Sequence, residues 1–323
     1  MNGFPRIVFF GTPEFAVASL ERLVCEGFLV AGVVTAPDKP SGRGLKAHEP
    51  AVKVFACKHG IPVLQPVSMK DPAFLEQLAA LRPDLQIVIA FRMMPEAVWS
   101  LPPLGTFNLH ASLLPQYRGA APINRAVMNG ETETGVTTFF LNRQIDTGTI
   151  ILAEKTMIGP DETAGDLHDR LMTMGAETVI RTVEMIVRGG FVPVSQETMI
   201  AGQGALKQAP KIFREDCRIN WDQEVEPIRN FIRGLSPHPG AFTEITMPGG
   251  EKTIMKIFRV SAEPGIAEEA CGKFYSDGKS WLKVGAKNGF IQIEELQAAG
   301  RKVMKIGDFL RGSGWIFTET YGI

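Results

Sequence analysis

An excess of charge of either sign is missing from this chain: 34 Lys and Arg stand against 35 Asp and Glu over 323 residues, a formal net charge of −1. That balance excludes a sequence-blind nucleic-acid coat and leaves room only for a localised basic contact. Cysteine is scarce as well. Cys25, Cys57, Cys217 and Cys271 are widely separated and form no Cys-x-x-Cys pair, so neither a zinc site nor a disulfide framework is expected. Buried free thiols in a reducing, cytoplasmic setting are the expectation instead. No apolar run is long enough to span a membrane. The first, Ile7 to Phe10, is broken at once by Gly11-Thr12-Pro13, and a soluble protein without a cleaved leader is expected. His48, His59, His168 and His238 show no ligand spacing, so no metal is expected. Internal repeats and low-complexity tracts are lacking too.

What is present is an alternation. Arg6 to Gly11 reads as a buried strand, Pro13 to Glu26 as a helix opened by proline, and Leu29 to Thr35 as a second strand. The pattern continues through a helix over 51–59, a short strand near Pro62, a helix over 72–81, a strand over 85–90 and a strand reaching His110. These predict an α/β fold with a doubly wound, largely parallel, Rossmann-like sheet. The first strand leads into Gly-Thr-Pro-Glu-Phe and lacks the three spaced glycines that admit a pyrophosphate, which excludes a nicotinamide cofactor.

A long amphipathic helix over 163–188 ends at Gly189-Gly190 and closes a first domain, residues 1–190. Residues 191–216 lose periodicity and carry Lys207, Lys211 and Arg214, which reads as a basic linker. In residues 217–323 one helix over 225–235 precedes short alternating segments separated by glycine turns, and a small β-barrel is the economical reading. A chain of this length has enough apolar residues to bury a core in each half.

Candidate chemistry collects at one strand end. The run Phe107 to Ile123, FNLHASLLPQYRGAAPI, puts Asn108 and His110 two residues apart, on one face of a strand, before Pro115 forces a turn. Such a pair suits a carbonyl that becomes a tetrahedral oxyanion: Asn108 can donate to the charge, His110 can donate or move a proton, and a carboxylate such as Asp146 can hold the imidazole charged or oriented. By themselves, a polar pair at a strand terminus is also an ordinary satisfied surface feature, and Asp146 in Asp-Thr-Gly is equally a turn residue.

The run from Asn108 through His110, Ser112 to Pro115 and Arg118 to Pro122, followed by Asp146-Thr147-Gly148, closely resembles the folate-dependent formyltransferases. Within that family it is most similar to those that formylate the methionine of charged initiator tRNA. Phe10 to Phe15, the loop Pro37 to Gly44, Asn220-Trp221 and Pro237 to Ala241 also match, so the resemblance spans nearly the whole chain. It implies Asn108, His110 and Asp146 as the catalytic trio, 10-formyltetrahydrofolate as donor, methionyl initiator tRNA as acceptor, and a role in translation initiation. It further implies an oligonucleotide-binding-like (OB-like) barrel in the second half, acting as a tRNA-binding domain, and a protein expected to be a monomer. Folate contacts are expected from Ser112, Leu113, Leu114, Pro115, Phe91 and Arg92; an acceptor crevice from Gly11, Thr12, Pro13 and Phe15; and tRNA contacts from Arg43, Lys46, Lys207 and Lys211.

Arg92 departs from the family pattern, because the members acting on tRNA commonly carry glycine there. Relatives that formylate a nucleotide-linked amino sugar carry arginine in a comparable position, so a sugar-nucleotide formyltransferase is one alternative. A formyltetrahydrofolate hydrolase, in which water replaces the amine, is another, and a noncatalytic RNA-binding descendant of the same scaffold is a third.

Overall fold

The computed structural model describes residues 5–41, 46–200, 205–246, 250–265 and 271–313. By their contacts they form two compact units. One comprises Met1–Pro122, Glu133–Met157 and His168–Ala209; the other comprises Ile123–Thr132, Ile158–Leu167 and Pro210–Ile323.

β1 (Ile7–Gly11) is buried at all five positions, as a strand covered on both faces must be. α1 (Glu14–Cys25) turns Phe15, Ala16, Ser19, Leu20 and Leu23 inward and leads to β2 (Val30–Val34). The hairpin of β3 (Lys39–Ser41) and β4 (Lys46–His48) follows, then α2 (Ala51–Lys58) and β5 (Val63–Leu64). α3 (Pro72–Ala80) starts where the Asp71 carboxylate accepts from the Ala73 N–H, and proline fills its first turn. β6 (Leu85–Ile89), the short α4 (Glu96–Trp99) and β7 (Thr106–His110) complete the parallel strands.

Beyond β8 (Arg118–Gly119) and α5 (Pro122–Met128) come two strands absent from the sequence reading, β9 (Glu133–Phe140) and β10 (Ile150–Met157). Threonines interrupt the apolar alternation of β9, yet Thr134, Thr137 and Thr138 are all buried. Two of them are paired internally: the Thr137 hydroxyl donates to the Ser112 carbonyl at 2.7 Å, and the Thr138 hydroxyl lies 2.8 Å from that of Thr182. Thr182 belongs to α6 (Ala164–Arg188).

The seven-stranded sheet has the order β10-β9-β7-β6-β1-β2-β5, with β9 and β10 antiparallel to the strands they join. The chain steps outward from β1 to β2 and β5, then returns to the other side of β1 as β6. Strand order therefore reverses between β1 and β6, and the crevice beyond their carboxyl ends is where open α/β sheets hold ligands. Gly11 stands at that point because a Cβ there would meet the Ala16 Cβ at 2.6 Å, so glycine lets α1 close onto the sheet.

Residues 191–216 carry structure of their own. They include α7 (Gln196–Ile200), β11 (Gln208–Ala209), which pairs in parallel with β8, and the start of a 3-10 turn, Glu215–Cys217.

In the second unit, α8 (Val225–Leu235) buries Val225, Ile228, Ile232 and Leu235 along one stripe. Its sheet comprises β12 (Ala241–Thr246), β13 (Lys252–Pro264), β14 (Phe274–Ser276), β15 (Leu282–Ala286), β16 (Gly289–Ala298) and the short β17 (Met304–Lys305), before α9 (Ile306–Ser313). The strand order is β12-β13-β16-β15-β14, with β17 also on β16. Two register shifts between β13 and β16, at Ile257 to Val260, bend the ladder, and the strands form a curled half-barrel. Trp221 is buried in its core with its indole N–H donating to the Thr243 hydroxyl at 3.1 Å.

Of the four cysteines only Cys217 is buried. The expectation of buried thiols fails for Cys25, Cys57 and Cys271, the first two of which sit on outward helix faces. Among the described residues no helix is long and apolar enough to cross a membrane.

Candidate active site

β7 ends in the expected pair. Asn108 lies opposite Val88 and Phe139 in the sheet, and His110 opposite Thr137. Their two-residue spacing puts both side chains on one face. Asn108 is half-buried, and its amide makes no hydrogen bond among the described residues. A donor held on a rigid strand with no internal partner is free to meet a ligand.

His110 is 7 % exposed and tightly oriented. Its Nε2 lies 2.8 Å from the Tyr117 carbonyl oxygen. A carbonyl can only accept, so Nε2 carries the proton and Nδ1 is the nitrogen left for chemistry. Nδ1 stands 4.0 Å from Asp146 Oδ2, which is ion-pair distance and too long for a hydrogen bond. The Tyr117 carbonyl therefore orients the ring through Nε2, and the Asp146 carboxylate faces the other nitrogen across a gap. Asp146 is itself fixed by the backbone N–H of Gly119, which donates to Oδ2 at 2.9 Å.

Two further residues, absent from the expected set, hold this arrangement. One is Tyr117, through its carbonyl; the other is Gln196 in α7, which is 1 % exposed. Gln196 Nε2 donates to the carbonyls of Asp146 at 3.0 Å and Gly148 at 2.8 Å, and its Oε1 accepts from Arg118 Nε at 3.0 Å and Nη2 at 2.6 Å. Burial pushes the Arg118 guanidinium down from its usual value, and the nearby Asp146 carboxylate opposes that shift. Arg118 and Gly119 lie in the recognised motif, but Gln196 and the Tyr117 carbonyl leave no trace in composition or periodicity.

The side chains of the SLLP run are mostly buried. Ser112 is wholly buried, with its hydroxyl donating to the Gln116 carbonyl at 2.7 Å, and Leu114 packs with Phe139 and Ile150. Pro115 is buried too, so of the four expected folate contacts in this run only the Leu113 side chain is partly open. Phe91 is half-buried with its ring edge-on to Phe10, 5.6 Å between centroids. Arg92 turns its guanidinium onto the carbonyls of Pro66 and Val67, the latter at 2.9 Å, and its guanidinium carbon lies 5.8 Å from the centre of the Phe91 ring.

Beside the end of β1 lies a hollow of about 1060 Å³ between α1 and α2, lined by Thr12, Pro13, Phe15, Val54, Phe55 and Met172 among others. Three of the four expected crevice residues line it. Gly11 does not, because it is buried in the sheet. Lys39 and Lys58 border the hollow, and Lys53 is paired with Asp38 at 2.5 Å and Glu49 at 2.7 Å. Arg43 lies outside the described residues, as does the Lys46 side chain, although the Lys46 backbone is in β4. Lys207 is exposed; its N–H donates to Gln116 Oε1 at 2.9 Å and its carbonyl accepts from the Tyr117 N–H at 2.7 Å. Lys211 in the second unit is exposed, with its ammonium 5.2 Å from the centre of the Phe213 ring. Among the described residues no group of three or more His, Cys, Asp or Glu could hold a metal.

Residues 5–183 match the family described as formyl transferase, and residues 211–314 match its C-terminal domain. The chain is 51 % identical over 318 residues to the methionyl-tRNA formyltransferase of Parabacteroides distasonis, covering 98 % of each, and 47 % identical over 313 residues to that of Porphyromonas gingivalis, covering 95 % of each. Among solved structures, the N-formyltransferase of Helicobacter canadensis with folinic acid and dTDP-3-aminofucose superposes with a TM-score of 0.64 at 21 % identity, over 90 % of this chain and 98 % of that one. HypX of Aquifex aeolicus in complex with tetrahydrofolic acid gives 0.60 at 19 % identity, over 96 % of this chain but 48 % of its own. At such identities the last two show the fold alone.

Proposed function

The chain belongs to the formyl transferase family, and from that premise we propose that it transfers the formyl group of 10-formyltetrahydrofolate to the α-amine of methionine on initiator tRNA. The observation that carries this reading is the end-to-end match, at about half identity, with relatives named for that reaction. 10-Formyltetrahydrofolate would supply an activated formyl carbon beyond the carboxyl ends of β1, β6 and β7. There the unpartnered Asn108 amide donates to the formyl oxygen as it gains charge. His110, with Nε2–H committed to Tyr117, works through Nδ1: protonated there, it donates to the same oxygen. Asp146, across the 4.0 Å gap, accepts the proton that the attacking amine must lose, directly or through water. Collapse of the tetrahedral adduct breaks the bond from the formyl carbon to N10 of the folate, which leaves as tetrahydrofolate once N10 takes up a proton equivalent to the one the amine gave up. The amine itself is the nucleophile, so no covalent intermediate with the chain is required.

One assay tests the reading: charged initiator tRNA, a nucleotide-linked amino sugar and water are offered in parallel with the same folate donor. Formylation of the tRNA well ahead of the other two is expected. Preference for the sugar would replace this assignment with the sugar-nucleotide alternative, and release of formate without an acceptor would replace it with the hydrolase.

Arg92, the departure that favoured a sugar acceptor, has its guanidinium committed to backbone carbonyls. Arg92→Gly is therefore expected to keep kcat/KM for charged initiator tRNA within about threefold, since a peripheral group rarely dominates transition-state binding. A tenfold or greater loss on tRNA would show that the side chain serves the acceptor after all.

The tRNA-binding role proposed for Arg43, Lys46, Lys207 and Lys211 makes salt the second test. Lys207→Ala should weaken use of charged tRNA while leaving the KM for the folate unchanged. The slope of log kcat/KM against log salt should also shallow by about 0.7 to 0.9, the change expected when a single phosphate is no longer neutralised. An unchanged slope in the variant would remove Lys207 from the RNA-binding set.

A further inference from the structure

We infer that Gln196 is a positioning residue for formyl transfer, its side-chain amide fixing the Asp146 turn and the Arg118 guanidinium in a single arrangement; the inference rests on the catalytic reading of Asp146. Both ends of that amide are engaged. The oxygen takes both nitrogens that Arg118 offers on one edge, and the two N–H groups go to the carbonyls of Asp146 and Gly148. At 1 % exposure no bulk water competes for these bonds.

The turn needs such a clamp. Asp146 has φ of 53°, in the left-handed region that a residue with a Cβ enters only at a cost. The two ends of the turn are held unequally. Gly148 lies against the backbone of β9, where a Cβ would fall 1.6 Å from the Phe140 oxygen, so the far end of the turn is held by close packing. At the near end the Gln196 donor holds the Asp146 carbonyl, while the Gly119 N–H holds the carboxylate. Losing the amide donors would let the Asp146 peptide relax towards ordinary φ and carry the carboxylate away from His110 Nδ1.

The amide oxygen matters for a different reason. Arg118 is partly desolvated and lies in the field of Asp146. With Gln196 Oε1 removed, the Asp146 carboxylate becomes the anionic acceptor for the guanidinium, and a bidentate Arg–carboxylate pair would hold that group out of reach of His110. A glutamate at 196 would satisfy Arg118 but turn an oxygen towards the carbonyls of Asp146 and Gly148, where it can only repel them. A neutral group with one accepting and one donating end is therefore required, and among side chains of this length only glutamine supplies it.

The test uses Gln196→Met, similar in length and volume but unable to make any of the four bonds, and Gln196→Glu, which keeps the bonds to Arg118. Both are measured in the full chain, alone and combined with Asp146→Ala, for kcat, for KM of the folate and of charged initiator tRNA, and for thermal midpoint. Displacing a catalytic group by about 1 Å can cost on the order of a hundredfold, so kcat should fall roughly tenfold to a hundredfold with both KM values within about threefold. Once Asp146 is alanine, changing Gln196 should cost nothing further, because residues that act through one another are not additive. Parental kcat in both variants, or the same loss in the Asp146→Ala background, would overturn the inference. If Gln196→Met does not fold, Gln196→Glu decides alone. A parent active only on the sugar nucleotide would refute the tRNA reading instead, and the same comparison would then be made on that acceptor.

Discussion

Asn108→Ala is expected to fold as the parent does and to turn over on the order of a hundredfold to a thousandfold more slowly, the loss found when one oxyanion donor is removed from a comparable site. The two halves of that expectation have separate origins. Stability is spared because the Asn108 amide makes no hydrogen bond among the described residues, so its removal leaves no buried group unsatisfied. Activity is lost because the bond forms as charge builds on the formyl oxygen and hardly at all before. Hence kcat and kcat/KM should fall together with KM almost unmoved. Asn108→Asp sharpens the test, since it keeps the shape but puts a carboxylate where an oxyanion must form; it should be at least as damaging. Near-parental turnover in purified Asn108→Ala would remove the residue from the reaction.

How far the site is legible in the sequence depends on which atoms carry the work. The roles proposed for Asn108, His110 and Asp146 use side chains, at spacings that a strand and a turn make readable. The residues that hold them act through backbone atoms or from unpatterned segments: the Tyr117 carbonyl, the Gly119 N–H, and Gln196 in a stretch whose periodicity predicts only a linker. A carbonyl looks the same on any residue, so its role appears only when the fold brings it to 2.8 Å from His110. The fold divides along a similar line. β1 and β6 are legible because each is an unbroken or nearly unbroken apolar run buried at every position. β9 and β10 are not, because Thr134, Thr137 and Thr138 give β9 a polar cast that only tertiary hydrogen bonding offsets, and the polar Glu154 and Lys155 with the exposed Met157 blur β10. The run Ser112 to Pro115 shows the same limit: a motif marks a turn that must be kept, and does not say which of its atoms face a ligand.

Gly119 is where these backbone contacts meet, and Gly119→Ala should carry the largest combined effect on stability and activity. Its φ is 126°, in territory that side-chain-bearing residues rarely enter, and a Cβ would lie 2.4 Å from the Ala209 oxygen and 2.9 Å from the Ala209 carbonyl carbon. Neither obstacle is a flexible side chain that could swing away. Backbone strain of about 1 to 3 kcal/mol and an overpacking cost of similar size put the loss at roughly 2 to 6 kcal/mol. For a unit of this size each kcal/mol moves the midpoint by about 2 to 4 °C, so a fall of about 4 to 24 °C is expected. Activity should suffer more than stability. Relief of the clash must open the pairing of β8 with β11, and that movement carries the Gly119 N–H off Asp146 and shifts the Tyr117 carbonyl, two residues back, off His110. Both proton-handling groups lose their places through one methyl group, so kcat in the folded protein should drop by more than about a hundredfold. The check is to assay Gly119→Ala well below its midpoint, where circular dichroism shows it folded. A protein that is merely less stable, with parental kcat at low temperature, would mean that the β8–β11 pair supports the fold without placing the catalytic groups.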